Sequence, residues 1–264
     1  MGTRIQLILA APPEDVTAAQ AHGLTLAHMA YRVGGGPHLF RSSQPNPPRG
    51  GLMYIDDGGF DGRGTPDAFC QEVVRECAAR GFGGVICAFD RKLPLLSAVV
   101  EQLGPMLARQ GRSFYVSEPY GRCTATGRVL IPTALSGGSL RQRLGEAAER
   151  YGAGRVALAV ERTAADFFLP SPDGQGRPLT REELAAKRRE LSPSVFFSDE
   201  LCARYFTYCV PADGAHFVLF DDGATIRKKL QVARSLGVKY ALLAYPETAD
   251  LLTVILASGA PSGI

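Results

Sequence analysis

Short apolar runs alternate with amphipathic stretches along most of the chain. The clearest run, Gly83–Phe89, is almost entirely apolar and ends at Asp90, which is typical of a buried parallel strand. Seven further runs predict strands of similar length. The eight predicted strands are Arg4–Ala10, Leu24–Tyr31, Gly51–Ile55, Gly83–Phe89, Ser113–Ser117, Val129–Ala134, Arg155–Val160 and Lys239–Ala244.

Amphipathic segments with helix-start signals separate most of these strands. Thr65 followed by Pro66 predicts the N-cap and first turn of a helix that continues to Ala79. The remaining predicted helices are Pro13–His22, Leu95–Gln110, a helix from the Ser139 cap to Tyr151, Ala224–Leu236 and Thr248–Ala257. Eight strands alternating with helices favour an α/β fold, a closed (β/α)8 TIM barrel.

The alternation of strands and helices is interrupted before the last strand. A Pro- and Gly-rich loop is predicted over 167–178, and Thr180 with Glu183 predicts a capping box that opens a charged helix to about Leu191. The runs 203–210 and 215–220 then predict a hairpin. We therefore expect one barrel domain over 1–264, with a small α+β insertion at about 167–220.

Composition excludes several classes of protein. The 264 residues carry 29 basic and 26 acidic side chains, a formal charge of +3, which is too weak and too dispersed to predict nucleic-acid binding. Apolar runs are too short for a membrane span, and no clear cleavage site follows the first strand, so we predict neither a transmembrane segment nor a signal peptide. Localisation stays undetermined.

Cofactor and metal motifs are also lacking. No G-x-G-x-x-G follows the first strand, and the four histidines are dispersed along the chain without a ligand spacing. We predict no cofactor and no metal. The six cysteines form no C-x-x-C pair, so we expect mostly buried free thiols, with a Cys202–Cys209 bridge across the hairpin as the less favoured alternative.

Charged residues follow several predicted strands, where a parallel barrel places its chemistry. Asp90 is the candidate catalytic acid, because it ends the most apolar strand. The other strand-end residues include Asp56, with Arg32, Arg91 and Arg162 as neighbours. The expected substrate-binding residues are Asp57, Glu118, Glu161, Tyr245 and Glu247.

Three stretches, in order, resemble the family 18 glycoside hydrolases, which include chitinases and spore cortex or peptidoglycan hydrolases. The segment 55–60 resembles the S-x-G-G element after their third strand, and 82–90 resembles their D-G-x-D-x-D-x-E signature. The segment 216–245 resembles their closing hairpin, S-I-x-x-K helix and last strand. The resemblance implies a chitinase-like barrel that binds an N-acetylglucosamine-containing glycan, in a cytoplasmic, spore or cell-envelope setting.

The same comparison shows a degenerate signature. Its three aspartates correspond to Gly83, Ile86 and Ala88, and its acid glutamate corresponds to Asp90. In the family that glutamate protonates the leaving oxygen while the neighbouring aspartate orients the substrate acetamide. Ala88 removes that partner. Asp90 is also one methylene shorter than glutamate, so its carboxyl group lies roughly 1 Å further from the substrate, which can cost about a hundredfold in rate.

Two other family features are missing: the chain contains no tryptophan for the last strand, and the Met-x-Tyr-Asp of the family's sixth strand has no match in 129–136. The sequence therefore favours a glycan-binding protein with lost or much reduced hydrolase activity. One alternative is an active glycosidase that uses Asp90 with Asp57 or Glu118 as a rearranged partner. Another is a non-catalytic scaffold or interaction protein that keeps only the fold.

Overall fold

Eight parallel strands close into a barrel in the computed structural model, which describes residues 5–42, 49–171, 174–211 and 214–257. Around the barrel the strands follow the order β1-β14-β8-β7-β6-β5-β4-β2, and pairing of β1 with β2 closes the ring. The (β/α)8 fold predicted from the sequence is confirmed. The barrel strands are β1 Gln6–Ala11, β2 Thr25–Gly34, β4 Leu52–Asp56, β5 Gly84–Ala88, β6 Ser113–Ser117, β7 Arg128–Pro132, β8 Val156–Val160 and β14 Tyr240–Ala244.

Helices cover the outside of the barrel. Helix α2 begins at Pro66 as predicted, although the Thr65 side chain makes no capping hydrogen bond within the described part of the chain. Only a short 3-10 turn, Glu118–Tyr120, lies between β6 and β7. The helices are α1 Val16–Gln20, α2 Pro66–Arg80, α3 Pro94–Arg109, α4 Leu140–Tyr151, α5 Arg181–Leu191, α6 Gly223–Ser235, α7 Tyr245–Thr248 and α8 Leu252–Leu256.

Alternation along each strand sorts side chains between two cores. In β5, Val85 and Cys87 pack in the layer between strands and helices, whereas Ile86 and Ala88 belong to the cluster inside the barrel. This alternation is the period-2 pattern of a strand, applied to a sheet closed on itself. It decides which residues beyond the strand ends face the barrel axis.

The connection between β8 and α6, before the last barrel strand, contains an inserted antiparallel sheet of five strands in the order β10-β9-β13-β12-β11. The capping box at Thr180 and Glu183 is present, as predicted, at the start of α5. The predicted loop over 167–178 is partly wrong, because its apolar start, 167–169, pairs with 215–217 and forms the end of β9. The inserted strands are β9 Ala164–Leu169, β10 Arg177–Pro178, β11 Phe196–Ser198, β12 Ala203–Val210 and β13 Gly214–Phe220.

A buried ion pair fixes the two ends of the insertion to the barrel. Lys229 on α6 donates to the Asp221 carboxylate at 2.6 Å, and Thr225 Oγ1 donates to its other oxygen at 2.7 Å. The Thr163 N–H donates to Asp221 Oδ2, and the Asp221 N–H donates to the Thr163 carbonyl, both at 2.8 Å. The segment that resembles S-I-x-x-K thus places Thr225 and Lys229 on one carboxylate.

Strand β3, His38–Arg41, adds an antiparallel strand beside the upper half of β2. A register shift in β2 between His28 and Tyr31 precedes this pairing. After it, Tyr31 and Val33 pack in the outer core. Arg32 between them therefore faces the barrel axis, and β3 extends the barrel wall at the mouth.

The six cysteines are free thiols, and Cys70, Cys77 and Cys87 are buried as expected from their positions. Burial raises the pKa of the Cys70 and Cys77 thiols to about 12, which makes them poor nucleophiles. The alternative Cys202–Cys209 bridge is absent, since Cys209 pairs with Ala215 across the hairpin. Within the described ranges, no helix is long and apolar enough to cross a bilayer.

Candidate functional site

The mouth at the carboxyl ends of the strands holds a row of inward-facing residues. Asp56 follows Leu52 and Tyr54, which belong to the barrel interior, so its side chain faces the axis. In the strand register Asp56 lies between Arg32 of β2 and Ala88 of β5. A carboxylate on β4 therefore stands beside the position where the resembled signature has its last aspartate.

Asp90 continues the inward series of Ile86 and Ala88 and is exposed at the mouth. The pKa of the Tyr54 phenol indicates that Asp90 lies near other acidic side chains. Burial, together with the negative charges of Asp90, Asp56 and Glu247, raises the pKa of Tyr54 to about 12. The three carboxylates therefore lie close enough to the Tyr54 phenol, at the top of the barrel interior, for their charges to act on it.

Glu161 belongs to the same group. Partial desolvation raises the pKa of its carboxyl, and the charges of Glu247 and Asp90 act in the same direction. The Ala134 N–H, which donates to Glu161 Oε2 at 3.3 Å, and the nearby Lys229 oppose that rise. An acid whose pKa is raised in a cleft is suited to hold a proton for general acid chemistry.

Helix α7, which carries Glu247, is held by an arginine. Arg162 donates to the Glu247 carbonyl at 2.9 Å and to the Asp250 carboxylate at 2.8 Å. Arg181 from the insertion helix α5 donates to the Pro246 carbonyl at 2.5 Å. The insertion therefore takes part in positioning one edge of the mouth.

Asp57 lies beneath the Asp90 loop and is only 3% exposed. Its carboxylate accepts the Asp90 N–H at 3.0 Å, the Arg91 N–H at 3.3 Å and the Arg91 guanidinium at 3.1 Å. Both oxygens are thus occupied by protein donors. The contacts assign Asp57 to shaping the loop, whereas the sequence predicted that it binds substrate.

Glu118 and Tyr245, two further predicted substrate-binding residues, point away from the mouth. In β6 the inward residues are Tyr115 and Ser117, so Glu118 turns outward and pairs with Arg143 on α4. Tyr245 packs against the outer core, with its ring 6.0 Å from that of His22. A one-residue step along a strand reverses the face, which explains both differences.

Of the predicted residues, the structure thus groups Asp90, Glu161 and Glu247, together with the strand-end Asp56. Tyr54 and Phe40 were not among the residues predicted from the sequence. Alternation back from Asp56 would have found Tyr54, whereas Phe40 depends on the pairing of β3 with β2. In the described residues, no group of three or more His, Cys, Asp or Glu side chains is placed to hold a metal ion.

No protein-family model matches the sequence, and no curated protein sequence is similar to it. The Bacillus cereus spore cortex-lytic enzyme SleL is 14% identical with a TM-score of 0.66, over 99% of this chain and 76% of that one. A chitinase from Chromobacterium violaceum is 15% identical with a TM-score of 0.67, over 96% and 100%.

A mutant class V chitinase from Nicotiana tobaccum, in complex with NAG4, is 10% identical with a TM-score of 0.65, over 98% of this chain and all of that one. These similarities extend over the barrel and the insertion together. They confirm the resemblance found in the sequence at the level of the fold. The chain shares the (β/α)8 fold of chitinases and spore cortex-lytic enzymes.

Proposed function

We propose that the barrel mouth binds an N-acetylglucosamine-containing glycan and lacks the standard chitinase-type hydrolytic mechanism. The observation that carries this proposal is the set of carboxylates at the mouth of a chitinase-like barrel, with Asp56, Asp90 and Glu247 near Tyr54 and with Glu161 near Asp90 and Glu247. Carboxylates accept hydrogen bonds from sugar hydroxyls, and the phenol can donate to an acetamide oxygen. The NAG4 bound to a chitinase of the same fold supports this class of ligand.

The loss of standard hydrolysis rests on Ala88 and Asp90. Ala88 faces the axis, where a methyl group can neither orient an acetamide nor adjust the pKa of the acid. Asp90 stands where the resembled signature has a longer acid. A displacement of roughly 1 Å from the productive position can cost about a hundredfold in rate.

Titration calorimetry with the N-acetylglucosamine tetramer tests binding. The wild-type chain should bind, and an Asp56→Asn/Glu161→Gln variant should bind more weakly, because two acceptors at the mouth lose charge. Asp199→Asn is the control, since Asp199 pairs with Lys228 on the outer helix α6. Absence of binding to both the tetramer and soluble peptidoglycan fragments contradicts the proposal and leaves a scaffold role.

A second candidate function, an active glycosidase with a rearranged acid pair, is supported by the raised pKa of Glu161 close to Asp90. The partners first considered for Asp90 do not fit this role. Asp57 is occupied by backbone N–H groups and Arg91, and Glu118 pairs with Arg143. Glu161 or Asp56 is the better partner, because both face the mouth.

Turnover of an aryl N-acetylglucosaminide distinguishes the two candidates. An active enzyme should lose turnover in Asp90→Asn and in Glu161→Gln, while Asp199→Asn keeps it. Binding of the tetramer without turnover in the wild type supports the first candidate. Turnover that survives Asp90→Asn contradicts Asp90 as the acid.

A further inference from the structure

An exposed aromatic ring stands in the wall of the mouth. Phe40 on β3 is 48% exposed and pairs in register with Arg32, which in turn pairs with Asp56. Phe40, Arg32, Asp56 and Ala88 therefore form one row across four neighbouring strands. The row joins an aromatic side chain, a guanidinium and a carboxylate at a single level of the mouth.

A cavity of about 230 Å³ opens along this row, with Met29, Arg32, Phe40 and Asp56 among its lining residues. Met29 also packs against the barrel-interior cluster, so the cavity continues the mouth. The Arg32 Cζ lies 4.4 Å from the centroid of the Phe40 ring and covers part of that ring. The rest of the ring is open to solvent.

We infer that Phe40, Arg32 and Asp56 form a subsite for a pyranose ring of a bound oligosaccharide. This inference rests on the proposed glycan-binding function. The apolar C–H face of a pyranose covers exposed aromatic surface and removes it from water. The hydroxyl or acetamide groups at the sugar's edge can then accept from Arg32 and donate to Asp56.

The position of Phe40 identifies which part of the glycan it contacts. Phe40 and Ala88 are three strand spacings apart, roughly 14 Å at about 4.8 Å per strand. That path follows the barrel wall, and the cavity at Phe40 is lined by Arg32 and Asp56 but not by Ala88 or Asp90. The sugar at Phe40 is therefore a different unit from the one beside Asp90. The subsite therefore adds affinity for longer oligomers and little for short ones.

Calorimetric titrations with the N-acetylglucosamine tetramer and dimer test the subsite. Phe40→Ala should weaken tetramer binding about tenfold or more, equivalent to about 1.4 kcal/mol, and should leave dimer binding nearly unchanged. Phe40→Trp should retain tetramer binding, because it keeps a planar apolar face. Melting temperatures should stay close to wild type, because the Phe40 ring is half exposed.

Phe197→Ala is the matched control. Phe197 is also a partly exposed phenylalanine, at 39%, but it lies against Lys228 on the outer helix α6. Tetramer binding that is equal in wild type and Phe40→Ala overturns the subsite while the proposed function stands. A wild-type chain that binds neither oligomer contradicts the proposed function, and the subsite with it.

Discussion

Lys229 Nζ lies 2.6 Å from Asp221 Oδ2, and the two side chains are 1% and 0% exposed. The pair connects helix α6 to the point where the insertion rejoins the barrel. Removing one partner of a buried ion pair costs more stability than the intact pair contributes, because the remaining charge is left uncompensated in a low-dielectric interior.

We expect Lys229→Met to lower the free energy of unfolding by about 3–5 kcal/mol, because it leaves the Asp221 carboxylate buried with only neutral donors. Urea unfolding at pH 7 measures the change. Lys228→Met is the matched control, since Lys228 is 40% exposed and pairs with the exposed Asp199. Equal unfolding midpoints for the two variants would contradict this account of the pair.

Asp57→Ala should loosen the loop that carries Asp90. The substitution removes the acceptor of two backbone N–H groups and of Arg91, so we expect a loss of about 1–3 kcal/mol in stability. Amide hydrogen exchange at Asp90 and Arg91 should accelerate. Asp61→Ala makes a suitable comparison, because Asp61 also accepts a backbone N–H, from Arg63, but is exposed. Unchanged exchange at residues 90 and 91 would count against a positioning role for Asp57.

Asp90→Asn should lower the pKa of Tyr54. Burial and the nearby negative charges, that of Asp90 among them, raise that pKa to about 12, so removing the Asp90 charge makes the phenolate less unfavourable. NMR titration of tyrosines labelled at the ring Cζ follows the phenol directly. Asp61→Asn, which removes a charge outside the group around Tyr54, serves as the reference. A Tyr54 pKa equal to that of the wild type would place Asp90 away from the phenol.

Glu161→Gln should stabilise the protein at neutral pH. The folded state raises the pKa of Glu161, so it holds that proton more tightly than the unfolded chain does. The favourable contribution is therefore present below the unfolded pKa and is lost as pH rises through the folded pKa. The melting temperature of Glu161→Gln should exceed that of wild type at pH 7, and the difference should vanish near pH 4, close to the ordinary glutamate pKa.

Glu182→Gln on the exposed face of α5 should show no such pH-dependent difference. A Glu161→Gln variant that is less stable than wild type at pH 7 would instead show that the Ala134 N–H and Lys229 dominate the environment of this carboxyl.

The barrel could be predicted from the sequence because each of its strands is a buried apolar run. Such a run is recognised as a strand even where its exact first and last residues are uncertain. The position of Asp90 and Glu161 at the mouth could be predicted for the same reason, since each closely follows such a run. The strand β9 was hidden, because Pro170 and the following glycines dominate the composition of its neighbourhood.

The inward or outward direction of individual residues was harder to predict. Glu118 and Tyr245 directly follow strands whose last residues face inward, so they turn to the outer layer. Asp57 faces the loop after β5, a contact between segments more than thirty residues apart. Phe40 depends on a bulge in β2 and on a pairing partner that hydrophobic periodicity does not reveal.

The hydrogen bonds between Thr163 and Asp221 also bear on how such a chain could change in length. The inserted segment leaves the barrel and returns at two directly bonded residues, so its removal would leave ends that a tight turn can join. Replacing 164–220 by a short linker thus requires no rearrangement of the eight-stranded ring. Segments of different size and surface can be exchanged at this junction, which makes the wall beside Glu247 adjustable independently of the acids inside the mouth.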